Sequence, residues 1–257
     1  MAGSYVNAGK LKLYYVERGA GRPVLWIHGN WGSSRWFDKV MDMPGFRHVA
    51  LDLPNFGRSQ ALDGDCDIGR YADAVYDFMV ALKLEKPILV GHSLGGTVAM
   101  SVAVKHPEAV TALVLVDSAA PSGLVTPPAH YPVLEMIGTN RPLLEQALRG
   151  VAPTIKDEAF FQSLVDDALL MAAPARSGNA VALERFNLTG ATAVFTKPVL
   201  VVWGRKDAIV TEAMVVETIA AFPAATSEIL EGVGHSVLAE DPERFEKLFA
   251  AFVATLK

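Results

Sequence analysis

A serine between two glycines is the most chemically suggestive feature of the sequence. The stretch "LVGHSLGG" (residues 89–96) runs from apolar residues into Gly91, and Ser93 follows two positions later. Gly91 and Gly95 are small enough to allow a sharp turn, which would expose the Ser93 hydroxyl at the end of a strand. Such a hydroxyl becomes a nucleophile only when a base removes its proton and an acid orients that base. The alternative interpretation is a plain tight turn.

Six histidines are candidates for the base, and the pattern favours His235. This residue lies in "EGVGHSVLAEDPERF", a predicted loop after the last strand, where Gly234 gives the loop freedom to turn the ring inward. His92 adjoins Ser93, but its side chain is expected to point away from the hydroxyl. The others are expected at strand ends, at a helix end or in a proline-rich segment. They are His28, His48, His106 and His130.

The acid of such a triad is expected between the serine and the histidine in chain order. Asp207 in "VVWGRKDAIV" follows the penultimate predicted strand and is preferred. Asp117 in "LVLVDSA" is the competitor, because it stands at the end of the strand after the predicted nucleophile helix. The alternative for Asp117 is a structural hydrogen bond at a strand end.

Short apolar runs alternate with helical patterns along most of the chain. An alternating segment, residues 10–19, predicts an antiparallel hairpin with the short strand before it. Later runs rich in Val, Leu and Ile are typical of strands buried on both faces of a parallel sheet. These runs begin at Pro23, His48, Pro87, Ala112, Pro198 and Ser227. Helical patterns cover 68–84, 95–107, 211–223 and 241–257, with Asp67 and Asp241 as caps. The alternation predicts a doubly wound α/β sheet with helices on both faces.

One segment interrupts this alternation. Residues 119–197 begin with the proline-rich "PSGLVTPPAHYP" and continue with amphipathic stretches around 143–149, 158–171 and 177–188. We therefore predict a core domain of residues 1–118 and 198–257, with residues 119–197 as a helical cap. Large side chains are predicted to line an apolar pocket beneath the cap, although packing in the core is an alternative for them. They are Trp31, Trp36, Tyr131, Met136, Phe160, Phe161 and Met171.

Composition excludes several other classes of function. Of 257 residues, 51% are hydrophobic and 20% charged, which is enough apolar material for a large core. The net charge of −5 gives no electrostatic reason to expect nucleic acid or an anionic membrane as partner. The single cysteine, Cys66, fits a reducing compartment and is interpreted as structural. Neither a signal peptide nor a membrane-spanning run is recognised, so a cytoplasmic protein is expected.

No metal or organic cofactor is predicted. Histidines and carboxylates do not cluster at the spacing of metal ligands, and "GHSLGG" lacks the lysine of a phosphate-binding loop. A small-molecule substrate is the expected partner, and the sequence leaves the oligomeric state open.

Five blocks of the sequence together resemble the α/β-hydrolase superfamily. They are "HGNWGSS", "DLPNFGRS", "GHSLGG", "WGRKDAIV" and "GVGHSVLAEDPERF", in the family's order and across nearly the whole chain outside the cap. The resemblance implies a mostly parallel eight-stranded sheet with a helical cap insertion, and a catalytic triad of Ser93, Asp207 and His235. It also implies an oxyanion hole formed by the backbone N–H groups of Asn30 and Leu94, with each donor worth ~3 kcal/mol of barrier.

The departures from the family pattern narrow the predicted reaction. Asn55 stands where related sequences often have glycine, and is expected to alter a loop near the site rather than the chemistry. Ser93 disfavours the haloalkane dehalogenases and epoxide hydrolases, which use an aspartate there. The "HGN" block is similar to that of dehalogenases and of some acyl-homoserine-lactone lactonases, and among these only the lactonases also have a serine nucleophile.

The predicted function is hydrolysis of carboxylic esters or lactones of small to medium apolar substrates through an acyl-enzyme. Several alternatives use the same fold and triad. They are an acyl-homoserine-lactone lactonase, a carbon–carbon bond hydrolase, a perhydrolase, a hydroxynitrile lyase, and a small-molecule receptor that retains the triad.

Overall fold

A computed structural model describes residues 3–256, in which eight strands form a single sheet. The strands lie in the order β1-β2-β4-β3-β5-β6-β7-β8. In chain order they are β1 Ser4–Ala8, β2 Leu11–Gly19, β3 Arg22–Ile27, β4 Phe46–Leu51, β5 Ile88–His92, β6 Ala112–Val116, β7 Val199–Gly204 and β8 Ala225–Leu230.

The sheet is antiparallel only at one edge. β1 and β2 form the predicted hairpin, with Ala8 opposite Leu11, and β2 pairs antiparallel with β4. All other pairings, from β4 through β3 to β8, are parallel. This confirms the predicted mostly parallel eight-stranded sheet. Because parallel strands end at the same edge, the loops after β3, β5, β6, β7 and β8 meet there, and we call this edge the carboxyl edge.

Nine α-helices flank or cover the sheet in the described residues. They are α1 Ile68–Ala81, α2 Leu94–Lys105, α3 Tyr131–Ile137, α4 Arg141–Val151, α5 Glu158–Ala168, α6 Ala175–Arg185, α7 Glu212–Ala221, α8 Val237–Glu240 and α9 Pro242–Ala254. The two predicted caps are present, since Asp67 accepts from the Arg70 N–H and Asp241 from the Arg244 N–H. α1 ends before the predicted Leu84, and Lys83 just beyond it adopts a left-handed φ of 51°.

Alternate residues of the buried strands point into two apolar layers. On one face, Trp26 of β3 packs against Phe37 and against Phe245 and Phe249 of α9. On the other face, Leu25 belongs to a larger cluster that includes side chains of α1 and α2. This second cluster continues into the cap, because side chains of α5 such as Phe161 and Leu164 are part of it.

The cap helices α3 to α6 lie between β6 and β7. α3 begins at Tyr131, inside the proline-rich stretch in which no helix was predicted. A buried carboxylate, Asp167 of α5, joins the cap to the core. It accepts from Ser33 Oγ at 2.9 Å, from Arg35 Nε at 2.8 Å and from Arg58 Nη2 at 2.8 Å. Within residues 3–256, none of the helices has the length and apolar character required to span a membrane.

Candidate active site

Ser93 stands on a strained turn between β5 and α2. Its φ is 55° and its ψ is −121°, a conformation that residues with a side chain rarely adopt. The neighbouring chain leaves no room for larger residues. A side chain at Gly91 would meet the backbone of Gly95, and one at Gly95 would meet the carbonyl oxygen of Ile27. The structure therefore has the sharp elbow that the two glycines predict.

The three residues of the predicted triad form one hydrogen-bonded chain. His235 Nε2 lies 2.9 Å from Ser93 Oγ, and His235 Nδ1 lies 2.7 Å from Asp207 Oδ2. Burial of the imidazole opposes its protonation, but the hydrogen bond and the charge of Asp207 raise the pKa of His235 above its ordinary value. An Nδ1–H directed at the carboxylate leaves Nε2 as the acceptor for the serine hydroxyl.

The Asp207 carboxylate is held by its own loop. Its side chain is fully buried, and Oδ1 accepts the backbone N–H groups of Ile209 at 2.7 Å and Val210 at 2.9 Å. These two bonds fix the plane of the carboxylate, so that Oδ2 faces His235.

Backbone contacts on both sides hold the His235 loop. The His235 N–H donates to the carbonyl of Val151 in the cap at 2.9 Å, and its carbonyl lies 2.7 Å from His92 Nε2. Glu240 Oε1 accepts the N–H groups of Gly234 and Ser236, each at 3.1 Å. The loop that positions the imidazole is thus tied to the cap, to the serine elbow and to α8.

His92, which adjoins Ser93 in the chain, hydrogen-bonds to the backbone of His235 and not to the serine hydroxyl. Burial, with the nearby His235 adding to it, lowers the pKa of His92 to about 3, so the ring is neutral. Its Nε2–H then donates to the His235 carbonyl. His92 is therefore a link between two loops of the site rather than a second base.

Asp117, the competing acid, makes no hydrogen bond to the imidazole. Its Oδ1 accepts the Gly204 N–H at 2.8 Å and its Oδ2 accepts the Val237 N–H at 3.2 Å. Burial raises the pKa of Asp117 to about 7. Its contacts are the strand-end hydrogen bonds of the structural alternative, joining β6 to the ends of β7 and α8.

Three of the remaining histidines are bound or stacked elsewhere. His28 Nε2 accepts the Leu53 N–H at 2.9 Å, His48 Nδ1 accepts the Trp26 indole N–H at 3.2 Å, and His106 stacks on Tyr76. Burial lowers the pKa of both His28 and His48. His130, in contrast, contributes to the wall of the cavity described below.

The predicted oxyanion donors come from both sides of the nucleophile. Leu94 is the first residue of α2, so its N–H has no acceptor within its own helix. The loop of residues 28–31 runs directly against the serine, since a side chain at Gly29 would lie 2.7 Å from Ser93 Cβ. The backbone N–H of Asn30 makes no hydrogen bond to any of residues 3–256. Trp31, the next residue of the loop, adopts a left-handed φ of 57°.

A cavity of about 490 Å³ separates the cap from the carboxyl edge. Ser93, His235 and Asn30 lie in its wall, together with the predicted Trp31 and Trp36. The cap contributes mostly aliphatic side chains. They are Leu124, Val125, Leu134, Ile137, Leu144, Ala147, Leu148, Val151, Ala180 and Leu183.

The other predicted pocket residues do not line this cavity. Phe161 is fully buried with the Arg149 guanidinium 3.4 Å from its ring centre, and Phe160 faces the ammonium of Lys39. Met171 is buried beside Asn179, whereas Met136 is 51% exposed. The Tyr131 hydroxyl donates to Glu184. These placements correct the prediction for Tyr131, Met136, Phe160, Phe161 and Met171, because helix rotation sends them into the interface with the core or out to solvent.

The prediction missed the apolar stripe of α4. Leu144, Leu148 and Val151 recur at spacings of four and three, which places them on one face of the helix. The same spacing marks the helix as amphipathic in the sequence, so a signal was present. What the spacing does not give is whether that face meets the core or a cavity.

Comparison with known proteins shows the family and the fold. Residues 24–248 match the model of the alpha/beta hydrolase family. A 2-hydroxy-6-oxononadienedioate/2-hydroxy-6-oxononatrienedioate hydrolase from Pseudomonas sp is 27% identical, over 90% of this chain and 87% of that protein. The solved structure of a serine hydrolase involved in carbazole degradation is 25% identical, with a TM-score of 0.81 over 98% of both chains. An esterase from Exiguobacterium antarcticum shares the fold at 20% identity, with a TM-score of 0.88 over 99% of this chain and 100% of that one.

Proposed function

This chain belongs to the alpha/beta hydrolase family, and we propose that it is a serine hydrolase for carboxylic esters or lactones of small to medium apolar substrates. The proposal depends above all on the hydrogen-bonded series from Asp207 through His235 to Ser93. That series opens onto a largely aliphatic cavity. Acyl transfer to a serine requires a nucleophile, a base that removes its proton and an acid that orients the base.

In the first step, Ser93 Oγ attacks the substrate carbonyl carbon while His235 Nε2 takes the hydroxyl proton. Asp207 stabilises the resulting imidazolium through the Nδ1–H bond. The negative oxygen of the tetrahedral intermediate accepts from the N–H groups of Asn30 and Leu94, each donor worth ~3 kcal/mol. The imidazolium then protonates the leaving alcohol as the C–O bond breaks, which leaves an acyl-enzyme.

In the second step, water attacks the acyl-enzyme carbonyl and gives one proton to His235. The second tetrahedral intermediate collapses as His235 returns that proton to Ser93 Oγ, and the carboxylic acid leaves. With a lactone, the released hydroxyl remains on the acyl chain throughout, and deacylation gives a single hydroxy acid.

The cavity wall supports an apolar and uncharged substrate. Within residues 3–256 its lining includes neither lysine nor arginine, so a substrate carboxylate would be desolvated there without a cationic partner. Its volume of about 490 Å³ lies within the ~300–1,000 Å³ range of small-molecule sites.

Carbon–carbon bond hydrolysis is the second candidate. It is favoured by the relative from Pseudomonas sp, whose name describes a hydrolase of a dienedioate and a trienedioate. A dioate carries two carboxylates at neutral pH, and the same absence of lysine and arginine from the described cavity wall disfavours such a substrate. Esters and lactones are therefore the preferred substrates.

The proposal is tested by a hydrolysis screen of the wild type and of Ser93→Ala. The substrates are p-nitrophenyl esters of graded chain length, γ-lactones including acyl-homoserine lactones, and one dienedioate. Turnover of an ester or lactone above ~1 per second is expected, and its loss in Ser93→Ala. Ser101→Ala, a buried serine on the same helix α2, is the matched control and keeps full activity.

Two results would contradict the proposal. The first is folded wild-type protein that hydrolyses no ester or lactone, which would favour a receptor, or a carbon–carbon hydrolase if the dienedioate is cleaved. The second is equal turnover by the wild type and Ser93→Ala.

A further inference from the structure

We propose that the side-chain amide of Asn30 donates a third hydrogen bond to the substrate's carbonyl oxygen, and that Asn179 of the cap holds this amide in its donating orientation. The donor role rests on the proposed function, whereas the orienting role rests on the hydrogen bonds of the protein alone. Asn30 would then be a catalytic residue through its side chain as well as its backbone, and Asn179 a positioning residue.

Four hydrogen bonds in series connect Asn30 to the protein interior, and we call them the amide relay. The Leu62 N–H donates to Asn55 Oδ1 at 2.8 Å, and Asn55 Nδ2 donates to the Tyr71 hydroxyl at 2.8 Å. The Tyr71 hydroxyl donates to Asn179 Oδ1 at 2.7 Å, and Asn179 Nδ2 donates to Asn30 Oδ1 at 2.9 Å.

The direction of the relay is set at its first member. A backbone N–H can only donate, so the Asn55 atom that faces Leu62 must be the oxygen. Asn55 Nδ2 then faces Tyr71, whose single hydroxyl proton is left for Asn179 Oδ1. Asn179 Nδ2 must therefore be the donor to Asn30, and Asn30 Oδ1 must be the acceptor. A flip of any one amide would place two donors or two acceptors against each other.

Burial makes this direction hard to reverse. Asn55, Tyr71 and Asn179 are all buried, and Tyr71 and Asn179 have no exposed surface. Water has no access to replace a bond lost there, so each mismatch would leave a buried polar group without a partner. The relay consequently fixes which end of the Asn30 amide faces outward.

That outward end is a donor directed at the cavity. Asn30 is half-buried and lies in the cavity wall, and its Nδ2 bonds to no other atom of residues 3–256. Gly29, the residue before it, lies directly against Ser93. Because the two N–H donors belong to one residue of the loop of residues 28–31, the proposal places the Asn30 amide N–H near its backbone N–H, where the carbonyl oxygen is expected to gain negative charge. A donor placed there strengthens as charge develops, so it raises kcat more than it lowers KM.

The relay also crosses from the core to the cap. Asn55 follows β4 with a left-handed φ of 75°, which asparagine tolerates better than most residues, and its carbonyl accepts the Ala172 N–H of the cap at 2.8 Å. Tyr71 is on α1 of the core, and Asn179 is on α6 of the cap. The orientation of the Asn30 amide thus depends on the cap being seated on the core.

The test uses Asn179→Asp, which keeps the shape of the side chain and removes its donor. The new carboxylate accepts from Tyr71 and from Asn30 Nδ2, so the Asn30 amide turns and presents its oxygen to the cavity. For the best p-nitrophenyl ester, kcat is expected to fall ~10²-fold with KM within about twofold. Asn140→Asp, the N-cap of α4, adds the same charge to the cap and leaves kcat unchanged.

Asn30→Ala and the double variant separate an orienting role from a merely structural one. Asn30→Ala is expected to lower kcat by ~10-fold or more, and adding Asn179→Asp to it changes kcat by less than about threefold. If the two losses multiply instead, Asn179 does not act through Asn30 and the proposal is overturned. Tyr71→Phe, which removes one hydroxyl from the relay, replaces Asn179→Asp if that variant does not fold.

A readout without substrate makes the orienting role testable by itself. The side-chain NH2 signals of Asn30 in a 15N-labelled sample are identified by their loss in Asn30→Ala. The chemical shifts of these signals are expected to change in Asn179→Asp and to remain unchanged in Asn140→Asp. Unmoved signals in Asn179→Asp overturn the relay. A wild type without ester or lactone turnover overturns the proposed function and the donor role, and the NH2 signals then still decide the relay.

Discussion

Side chains at the carboxyl edge of the sheet and in the cap are positioned by different physical means. At the edge, backbone geometry determines where each side chain points. Ser93 has one strained conformation, and two N–H groups of its own loop hold Asp207. In the cap, position depends on which face of each helix packs on the core. Phe161 and Leu148 are both buried, but only Leu148 lines the cavity. The chemistry is therefore encoded locally, whereas the substrate preference depends on tertiary packing.

This difference predicts two kinds of variant. Substitutions at the edge are expected to change kcat with little change in stability. Substitutions in the cap, other than those of Asn179, which orients the Asn30 amide, are expected to change stability or substrate preference and to leave the chemical step intact. Variants that cross this division would show that the two regions are not separable.

Asp207→Asn is expected to have the largest effect. It preserves the hydrogen bonds to Ile209 and Val210 but removes the charge that stabilises the His235 imidazolium, so kcat should fall ~10⁴-fold with the fold retained. Steady-state kinetics and circular dichroism measure the two properties. Asp117→Asn should lower kcat less, because Asp117 makes no hydrogen bond to the imidazole. A fall in kcat of less than about tenfold in Asp207→Asn would mean that another residue is the acid of the triad.

Asp167→Asn is the corresponding break in the cap. It leaves Arg35 and Arg58 without their shared carboxylate, but both guanidinium groups are about one-third exposed and retain contact with water. The free energy of unfolding is therefore expected to fall by about 2 kcal/mol, with kcat for a small ester within a few-fold. Urea denaturation measures the free energy of unfolding. Asp166→Asn, which removes an exposed ion pair with Arg141, is the control, with a loss of about 0.5 kcal/mol or less.

Leu148→Ala sharpens the comparison by changing the cavity alone. Removing this side chain from the wall makes room for a longer acyl chain, so the ratio of kcat/KM for a long over a short p-nitrophenyl ester should rise about tenfold. Leu164→Ala is the matched control, since Leu164 is equally buried in the cap but does not line the cavity. An equal rise in both variants would mean that general loosening of the cap, not the cavity wall, sets the preference.

The smallest effect concerns the pH dependence of the wild type. Neutral His235 is the active base, and the charge and hydrogen bond of Asp207 outweigh burial and raise its pKa above the ordinary 6.5. A raised pKa keeps the proton on His235 up to a higher pH, so kcat/KM should decline on acidification with a midpoint above 6.5. A pH profile of kcat/KM for a neutral ester measures this. A midpoint below 6.5 would mean that burial outweighs Asp207.

The same division explains what the sequence predicts well. Gly91 and Gly95 are small enough for a sharp turn, and parallel strands end at the same edge, so the positions of Ser93, Asp207 and His235 after strands predict that they meet. In the structure the three side chains are hydrogen-bonded in series. Asp117 also follows a strand, and only the structure shows that its oxygens are taken up by Gly204 and Val237.

The cavity wall and the amide relay were not predictable in this way. Phe160 and Phe161 look like pocket residues by type, but the rotation of α5 directs them away from the cavity. Tyr71 and Asn179 are separated by 108 positions in the chain and meet only because the cap folds back over α1. The periodicity of apolar residues predicts which face of a helix is buried, but not which part of the protein packs against that face.

The most direct test of serine catalysis is covalent labelling with a small apolar fluorophosphonate, followed by peptide mass spectrometry. One equivalent of phosphonate is expected on the peptide that contains Ser93, because His235 activates that hydroxyl and the cavity admits an apolar reagent. Ser101→Ala should be labelled as fast as the wild type, and His235→Ala much more slowly. Absence of an adduct, or an adduct on another residue at the same rate in Ser93→Ala, would contradict a serine nucleophile at this site.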